Sequence, residues 1–170
     1  MALDGIFINF LVNEISQNLI GSKVDKVHQP TKNELVLIMR SKQGMFKLFM
    51  TADANAPRFH IIENAPENPQ TPPMLCMLLR KHLSSGKIVK ISQPDLERII
   101  EIDLHCTTDF SESKRTLHCE LMGKYSNIVL TEKGVILGAL KTTALEDNSH
   151  RVLLAGAKYF ETPTRQSELL

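Results

Sequence analysis

The first apolar residues of the chain recur at spacings of three and four, the pattern of one face of a helix. They are Ile6, Phe7, Phe10, Leu11, Ile15 and Leu19. Asp4 precedes them and can cap the free N–H groups of a first turn, and Gly21 follows and can end a helix. We therefore predict a helix over about residues 4 to 20.

Short apolar runs separated by turn residues follow, which is typical of an antiparallel meander. They lie at residues 23–28, 34–39, 45–50 and 59–62 and, after a second helix, at 88–91, 98–104, 115–122, 127–130 and 135–140. The order helix, strands, helix, strands predicts an α+β fold with two mostly antiparallel sheets, an N-terminal helix and a central helix. We assign no structure to residues 144–170, which are more polar and less regular.

The two groups of strands are separated by residues 63–73, which hold four of the eight prolines. This composition predicts an extended linker between two sub-lobes. The central helix should begin at Pro73 or Met74 and end before Gly86. Its last turns carry Arg80, Lys81 and His82, where cations complement the helix dipole, so capping is one interpretation of these residues.

Net charge, aromatic content and cysteine count limit the kinds of binding site that the chain can form. The net charge of +1 means that any RNA-binding surface must be a local basic patch. Aromatic residues make up 5% of the chain with no tryptophan, which argues against a platform that stacks several bases. Three widely spaced cysteines argue against a disulfide framework and a Cys-rich zinc site. With no secretory signal and no bilayer-spanning apolar run, we expect a soluble cytoplasmic protein without a membrane partner.

Motifs for catalysis are absent from the sequence. The six histidines form no His-x-x-x-His pair, and there is neither a Gly-x-Ser-x-Gly elbow nor a phosphate-binding Walker loop. We therefore expect a binding domain rather than an enzyme, with no metal and no cofactor. A hydrolase built on Cys or His stays open as the enzyme alternative, because a Cys–His pair need not be close in sequence.

Four short segments could instead contact a partner, and each has a purely structural alternative. Asp4-Gly5 could be a helix cap, and His28-Gln29-Pro30 a strand-to-turn junction. The stretch 80–98 holds five cations and two carboxylates, an excess of three positive charges that could meet phosphates or form a solvated face. In a strand, Glu97 and Arg98 would point to opposite faces, so one of them could face a partner.

These segments, in this order, resemble the NFACT N-terminal domain of RqcH/NEMF-type ribosome quality-control factors, long labelled fibronectin-binding protein A-like. The resemblance extends over most of residues 1–165. It is carried by Asp4-Gly5, His28-Gln29-Pro30, the block from Pro72 to His82, Glu97-Arg98-Ile99 and the block from Glu120 to Ile128. It also implies a fold similar to the N-terminal domain of formamidopyrimidine-DNA glycosylases. Ala2 and Leu3 stand where those enzymes carry their catalytic proline and glutamate, so that reaction is not expected.

The resemblance implies a function and partners. Family members bind the large ribosomal subunit that carries an obstructed peptidyl-tRNA. They recruit tRNA, alanyl-tRNA in bacteria, for template-free alanine tailing of the stalled chain. Their full-length members are longer than 170 residues, so the chain is expected to be one NFACT N-terminal domain of a larger protein. The old family label leaves a fibronectin-binding adhesin module as an alternative.

The resemblance also implies site residues. Asp4, Glu97 and Arg98 match positions needed for tRNA binding and tailing. The family usually has Asp-Arg at the last two positions, so Glu97 extends the carboxylate by one methylene. Further candidate RNA contacts are His28, Arg80, Lys81, Lys124, Ser126 and Asn127.

Overall fold

The structure, a computed structural model, describes residues 5–53, 55, 57–94, 97–107, 111–142 and 153–160, without the side chain of Lys124. Its helices are α1 (Gly5–Leu19) and α2 (Met74–Leu83). Its strands are β1 (Lys23–His28), β2 (Glu34–Ser41), β3 (Gly44–Thr51), β4 (Arg58–Ile62), β5 (Lys87–Ser92), β6 (Ile99–Thr107), β7 (Glu112–Glu120), β8 (Asn127–Glu132) and β9 (Val135–Ala139). The predicted α+β class and the antiparallel pairing are confirmed.

The prediction of two separate sheets is wrong. The described strands form one nine-stranded sheet in the order β4-β3-β2-β1-β5-β6-β7-β8-β9. The two halves join where Lys23 of β1 pairs with Lys87 of β5. Backbone hydrogen bonds fix this join, since Val24 N donates to Gly86 O and Ile88 N to Ser22 O, each at 2.9 Å. The apolar runs predict each strand but carry no sign of this long-range pairing.

The larger of two apolar clusters among the described residues lies between the helices and both halves of the sheet. The buried face of α1 consists of Ile8, Val12, Ile15 and Leu19, and that of α2 of Cys76, Leu79 and Leu83. Cys119 Sγ of β7 lies 3.4 Å from Met50 Sδ of β3, so strands from the two halves meet across this core. The sheet is therefore curved around one apolar interior, which explains why neither half needs a core of its own.

Two segments outside the core complete the fold. Residues 63–73 contain neither helix nor strand. Residues 153–160 lie against the outer side of the last strands, where Leu153 packs with Val129 and Ile136, and Lys158 forms a bridge with Val135. Among the described residues, neither helix is long and apolar enough to cross a membrane.

Candidate nucleic-acid interface

Gln93, which follows β5, connects two of the segments that the sequence singles out. Its side-chain Nε2 donates hydrogen bonds to the carbonyl oxygens of Gly5 at 2.7 Å and of Glu97 at 2.6 Å. The first turn of α1 is thereby joined to the Glu97-Arg98 segment. Asp4, which precedes Gly5 in the chain, lies outside the described residues.

Glu97 and Arg98 lie just before β6 rather than within it. The argument that they point to opposite faces of a strand therefore does not apply to them. Their backbone is fixed on both sides, because Glu97 N donates to Pro94 O at 3.2 Å and Leu121 N donates to Arg98 O at 2.8 Å. The Arg98 side chain is exposed, and Glu97 is partly buried. A guanidinium on a fixed backbone is thus presented to solvent at this point.

The bond to Leu121 brings in the third segment, the loop 121–126 between β7 and β8. Asn127, which ends it, is 2% exposed. Its Nδ2 donates to the Lys141 carbonyl at 2.8 Å, and its Oδ1 accepts from the backbone N–H groups of Lys141 and Ile128 at 2.9 Å each. Ser126 is fully buried. The structure therefore gives Asn127 a role in fixing the chain. The burial of Ser126 and Asn127 argues against their prediction as RNA contacts.

His28 and Arg80 form a second locus, at the end of β1. Arg80 Nε donates to the Val27 carbonyl oxygen at 2.9 Å. Burial lowers the pKa of His28, and the neighbouring charges of Arg80 and Lys26 lower it further. His28 is therefore neutral near pH 7 among cations, and Arg80 supplies the fixed positive charge of the locus.

Arg80 and Lys81 lie in the last turn of α2, where their charges complement the helix dipole as expected, but other groups bond the carbonyl oxygens of Arg80 and His82. The carbonyl of His82 at the end of α2 accepts from Arg115 Nη1 of β7 at 2.7 Å. The Arg80 carbonyl accepts from the Ser84 hydroxyl. The Arg80 guanidinium reaches β1 instead, and Lys81 is exposed. Arg115 and Ser84 thus satisfy two carbonyls at the end of α2, and Arg80 and Lys81 are both exposed at the surface.

The thiols do not support the hydrolase alternative. All three cysteines are buried. Burial raises the pKa of the Cys76, Cys106 and Cys119 thiols, and the charge of Glu120 adds to the rise at Cys119. A raised pKa suppresses the thiolate that a nucleophile needs. No cluster of three metal-ligating side chains occurs among the described residues.

A buried polar network on the outer side of the sheet was not predicted. His118 Nδ1 lies 2.7 Å from Glu101 Oε2, and His118 Nε2 lies 2.8 Å from Thr131 Oγ1. No sequence motif predicts this network, because its three side chains come from three different strands. His118 is 6% exposed and its ring stacks on Tyr159 with centroids 4.0 Å apart. The arrangement resembles a hydroxyl–imidazole–carboxylate triad in which Tyr159 covers the imidazole.

Comparison with known proteins assigns the chain to a family. The chain matches the family "NFACT N-terminal and middle domains" over residues 4–169. The chain belongs to this family, which confirms the resemblance found in the sequence.

Curated relatives include "Rqc2 homolog RqcH" of Bacillus subtilis, 38% identical over 168 residues, which are 97% of this chain and 30% of that protein. The protein of the same name from Streptococcus pneumoniae serotype 2 is 34% identical over 98% of this chain and 31% of its own length. The chain thus spans about a third of these relatives.

Solved structures with the same fold include the N-terminal domain of fibronectin-binding protein PavA from Streptococcus pneumoniae. The two chains superpose with a TM-score of 0.91 at 34% identity. The match covers 94% of this chain and 62% of the PavA chain. The N-terminal part of the fibronectin/fibrinogen-binding protein from Streptococcus suis gives a TM-score of 0.91 at 33% identity, over 95% of this chain and 62% of that one. The glycosylase-like fold implied by the resemblance stays a prediction.

Proposed function

We propose that this chain is the tRNA-binding domain of a ribosome quality-control factor. The supporting observation is the Gln93 junction, which joins the start of α1 to the Glu97-Arg98 segment and leaves Arg98 exposed. In the longer protein that the family implies, this domain would recruit tRNA, alanyl-tRNA in bacteria, to the large subunit carrying peptidyl-tRNA. Template-free alanine tailing of the stalled chain would follow. The domain would bind and position RNA without catalysing a reaction itself.

The chemistry of the junction suits selective RNA contact. The Arg98 guanidinium can donate two parallel hydrogen bonds to a phosphate or stack on a base. Carboxylates repel phosphate, so Asp4 and Glu97 would accept hydrogen bonds from base amino groups or ribose hydroxyls. The longer Glu97 side chain keeps the negative charge but shifts its carboxylate outward by about one bond length.

The second locus would provide a further phosphate contact. The bond from Arg80 Nε to Val27 O orients the guanidinium and leaves its terminal N–H groups as donors. The charges acting on His28 are those of Arg80 and Lys26, so the locus is positive. Lys81 lies next to Arg80 on α2 and is exposed. The family match and the two loci together favour RNA over an acidic protein surface.

Binding of a fluorescently labelled tRNA to this chain, followed by anisotropy over a salt series, tests the proposal. Arg98→Ala should weaken binding by about 10-fold or more, because one bidentate charged contact is worth about 1.5–3 kcal/mol. It should also lower the slope of log affinity against log salt by roughly 0.7–0.9. Arg58→Ala is the matched control, since Arg58 is an exposed arginine on β4.

Tailing is tested with a chimera in which this chain replaces the matched segment of Bacillus subtilis RqcH. Alanine tails on a stalled reporter chain would be measured with and without Arg98→Ala. Loss of tails and of tRNA binding by Arg98→Ala alone supports the proposal. Equal tRNA binding and tailing by Arg98→Ala, Arg58→Ala and the unsubstituted proteins would refute it.

Two structural relatives are named as fibronectin-binding proteins, which favours fibronectin binding as a second candidate function. Immobilised fibronectin would then retain this chain at physiological salt, and tRNA would not compete. Retention that survives excess tRNA, combined with an unchanged tRNA affinity of Arg98→Ala, would select this alternative.

A further inference from the structure

The loop 121–126 combines a buried backbone with one exposed aromatic ring. Leu121 is 1% exposed, Met122 9% and Ser126 0%, whereas Tyr125 is 67% exposed. A loop that is part of the core would ordinarily turn an aromatic side chain inward, where burial of its area is favourable. A single exposed tyrosine is common on protein surfaces, so its position relative to the RNA site decides whether it has a role.

The backbone around Tyr125 is held at three points. Glu120 pairs with Asn127 at the base of the loop. A 3-10 turn spans Gly123–Tyr125, in which Tyr125 N donates to Met122 O at 3.0 Å and Ser126 N to Gly123 O at 3.0 Å. Gly123 adopts a φ of +56°, a conformation that favours glycine. The ring is thus presented from a fixed backbone, which lowers the entropic cost of a contact made through it.

The same loop is attached to the candidate RNA site. Leu121, its first residue, donates its N–H to the carbonyl of Arg98 at 2.8 Å. Ile99, the residue after Arg98, pairs with Glu120, and Glu120 pairs with Asn127. Arg98 and Tyr125 therefore emerge at the same end of three adjacent strands, β6, β7 and β8. An exposed aromatic ring and an exposed guanidinium at the same end of a sheet can together hold single-stranded nucleic acid, since the ring stacks a base while the cation meets the backbone.

We propose that Tyr125 is a stacking surface for one unpaired base of the RNA that Arg98 contacts. This inference rests on the proposed function and adds that the ligand must offer an unstacked base, as in a loop or a single-stranded end. It agrees with the scarcity of aromatic residues, because one ring stacks one base. The other tyrosine, Tyr159, stacks on the buried His118.

Two substitutions separate stacking from charge. Tyr125→Ala should lower the affinity for a labelled tRNA by roughly 5- to 150-fold, the range found when a stacking aromatic is truncated. The salt slope should stay unchanged, because no phosphate contact is lost. Tyr125→Phe keeps the ring and should stay within about twofold of the unsubstituted chain. Phe160→Ala is the control, since Phe160 is 52% exposed and follows Tyr159, which is bonded to Gly134 at the other end of β8.

A blunt-ended RNA duplex without unpaired bases provides the second arm. Tyr125→Ala should bind it as tightly as the unsubstituted chain does, while a single-stranded oligoribonucleotide should show the full loss. Equal losses on duplex and single strand, or a tRNA affinity of Tyr125→Ala equal to that of Phe160→Ala, would overturn the inference. The proposed function fails separately, when Arg98→Ala leaves both the tRNA affinity and the salt slope unchanged.

Discussion

Replacement of Gln93 by leucine tests whether its amide holds the candidate site together. Leucine has a similar volume but cannot donate to the carbonyl oxygens of Gly5 and Glu97. Two neutral hydrogen bonds contribute about 1–3 kcal/mol together. Both acceptor residues are only partly buried, so water can replace part of the loss. Gln93 Oε1 is buried without a partner among the described atoms, and its removal offsets a further part. We expect a destabilisation of about 1–2 kcal/mol.

Urea denaturation followed by circular dichroism measures this loss, and tRNA anisotropy at low temperature measures its effect on the site. Gln93→Leu should lower the denaturation midpoint and weaken tRNA binding, because Arg98 is no longer fixed relative to α1. Gln70→Leu is the control, since Gln70 is an exposed glutamine between the prolines of residues 63–73.

Two outcomes would refute this reasoning in different ways. A midpoint equal to that of Gln70→Leu would mean that the amide does not hold the junction. A lowered midpoint with unchanged tRNA affinity, measured where the variant is fully folded, would mean that the junction is structural and the RNA is bound elsewhere.

Three further predictions concern packing and titration. Gly138→Ala should destabilise the protein by about 1–2 kcal/mol in urea titrations, because its Cβ would lie 2.3 Å from Leu78 Cδ2; an unchanged midpoint would show that Leu78 moves aside freely. Cys119 should resist a thiol reagent until the protein unfolds, and rapid labelling of the native protein would contradict this. Because burial raises the pKa of Cys119 above the usual 9.0, the free energy of unfolding should fall as the pH rises beyond about 9. Burial lowers the pKa of His28 and His82 below 6.5, so the unfolded chain binds more protons than the folded chain does. The free energy of unfolding should therefore fall as the pH drops through about 6.5. His28→Gln should flatten that dependence in a pH series of denaturation midpoints.

The local elements of the fold could be predicted from the sequence, whereas their assembly could not. The spacing of apolar residues places α1 within one residue of its observed ends, because a helix face leaves a periodic pattern. The joining of the two halves of the sheet at Lys23 and Lys87 leaves no such pattern, because backbone hydrogen bonds between distant segments make it. Similarly, the cap of α2 by Arg115 comes from a strand more than thirty residues away in the chain. Long-range contacts of this kind have no signature in a single sequence.

For the candidate site, the segments could be predicted from the sequence, whereas the bonds between them could not. The Asp4-Gly5, Glu97-Arg98 and 120–128 segments are motifs of the family, but only the bonds from Gln93 and Leu121 show that they meet. Gln93 itself was missed, because a glutamine before a proline has no motif of its own. Asn127 was predicted to contact RNA because it is a polar residue in a family motif. Its side chain is instead bonded to the backbone of Lys141.

The near-neutral charge of the chain shapes how an RNA site of this kind must work. Non-specific affinity comes from phosphate neutralisation, and a domain with a net charge of +1 has little of it to offer. Affinity must then come from a few groups whose positions are fixed in advance, since each disordered contact would cost conformational entropy. The bonds that fix Arg98, Tyr125 and Arg80 all run through the backbone or to a backbone carbonyl. Substitutions that release these backbones, such as Gln93→Leu, should therefore lower the affinity for RNA because the contacts are no longer held in place in advance.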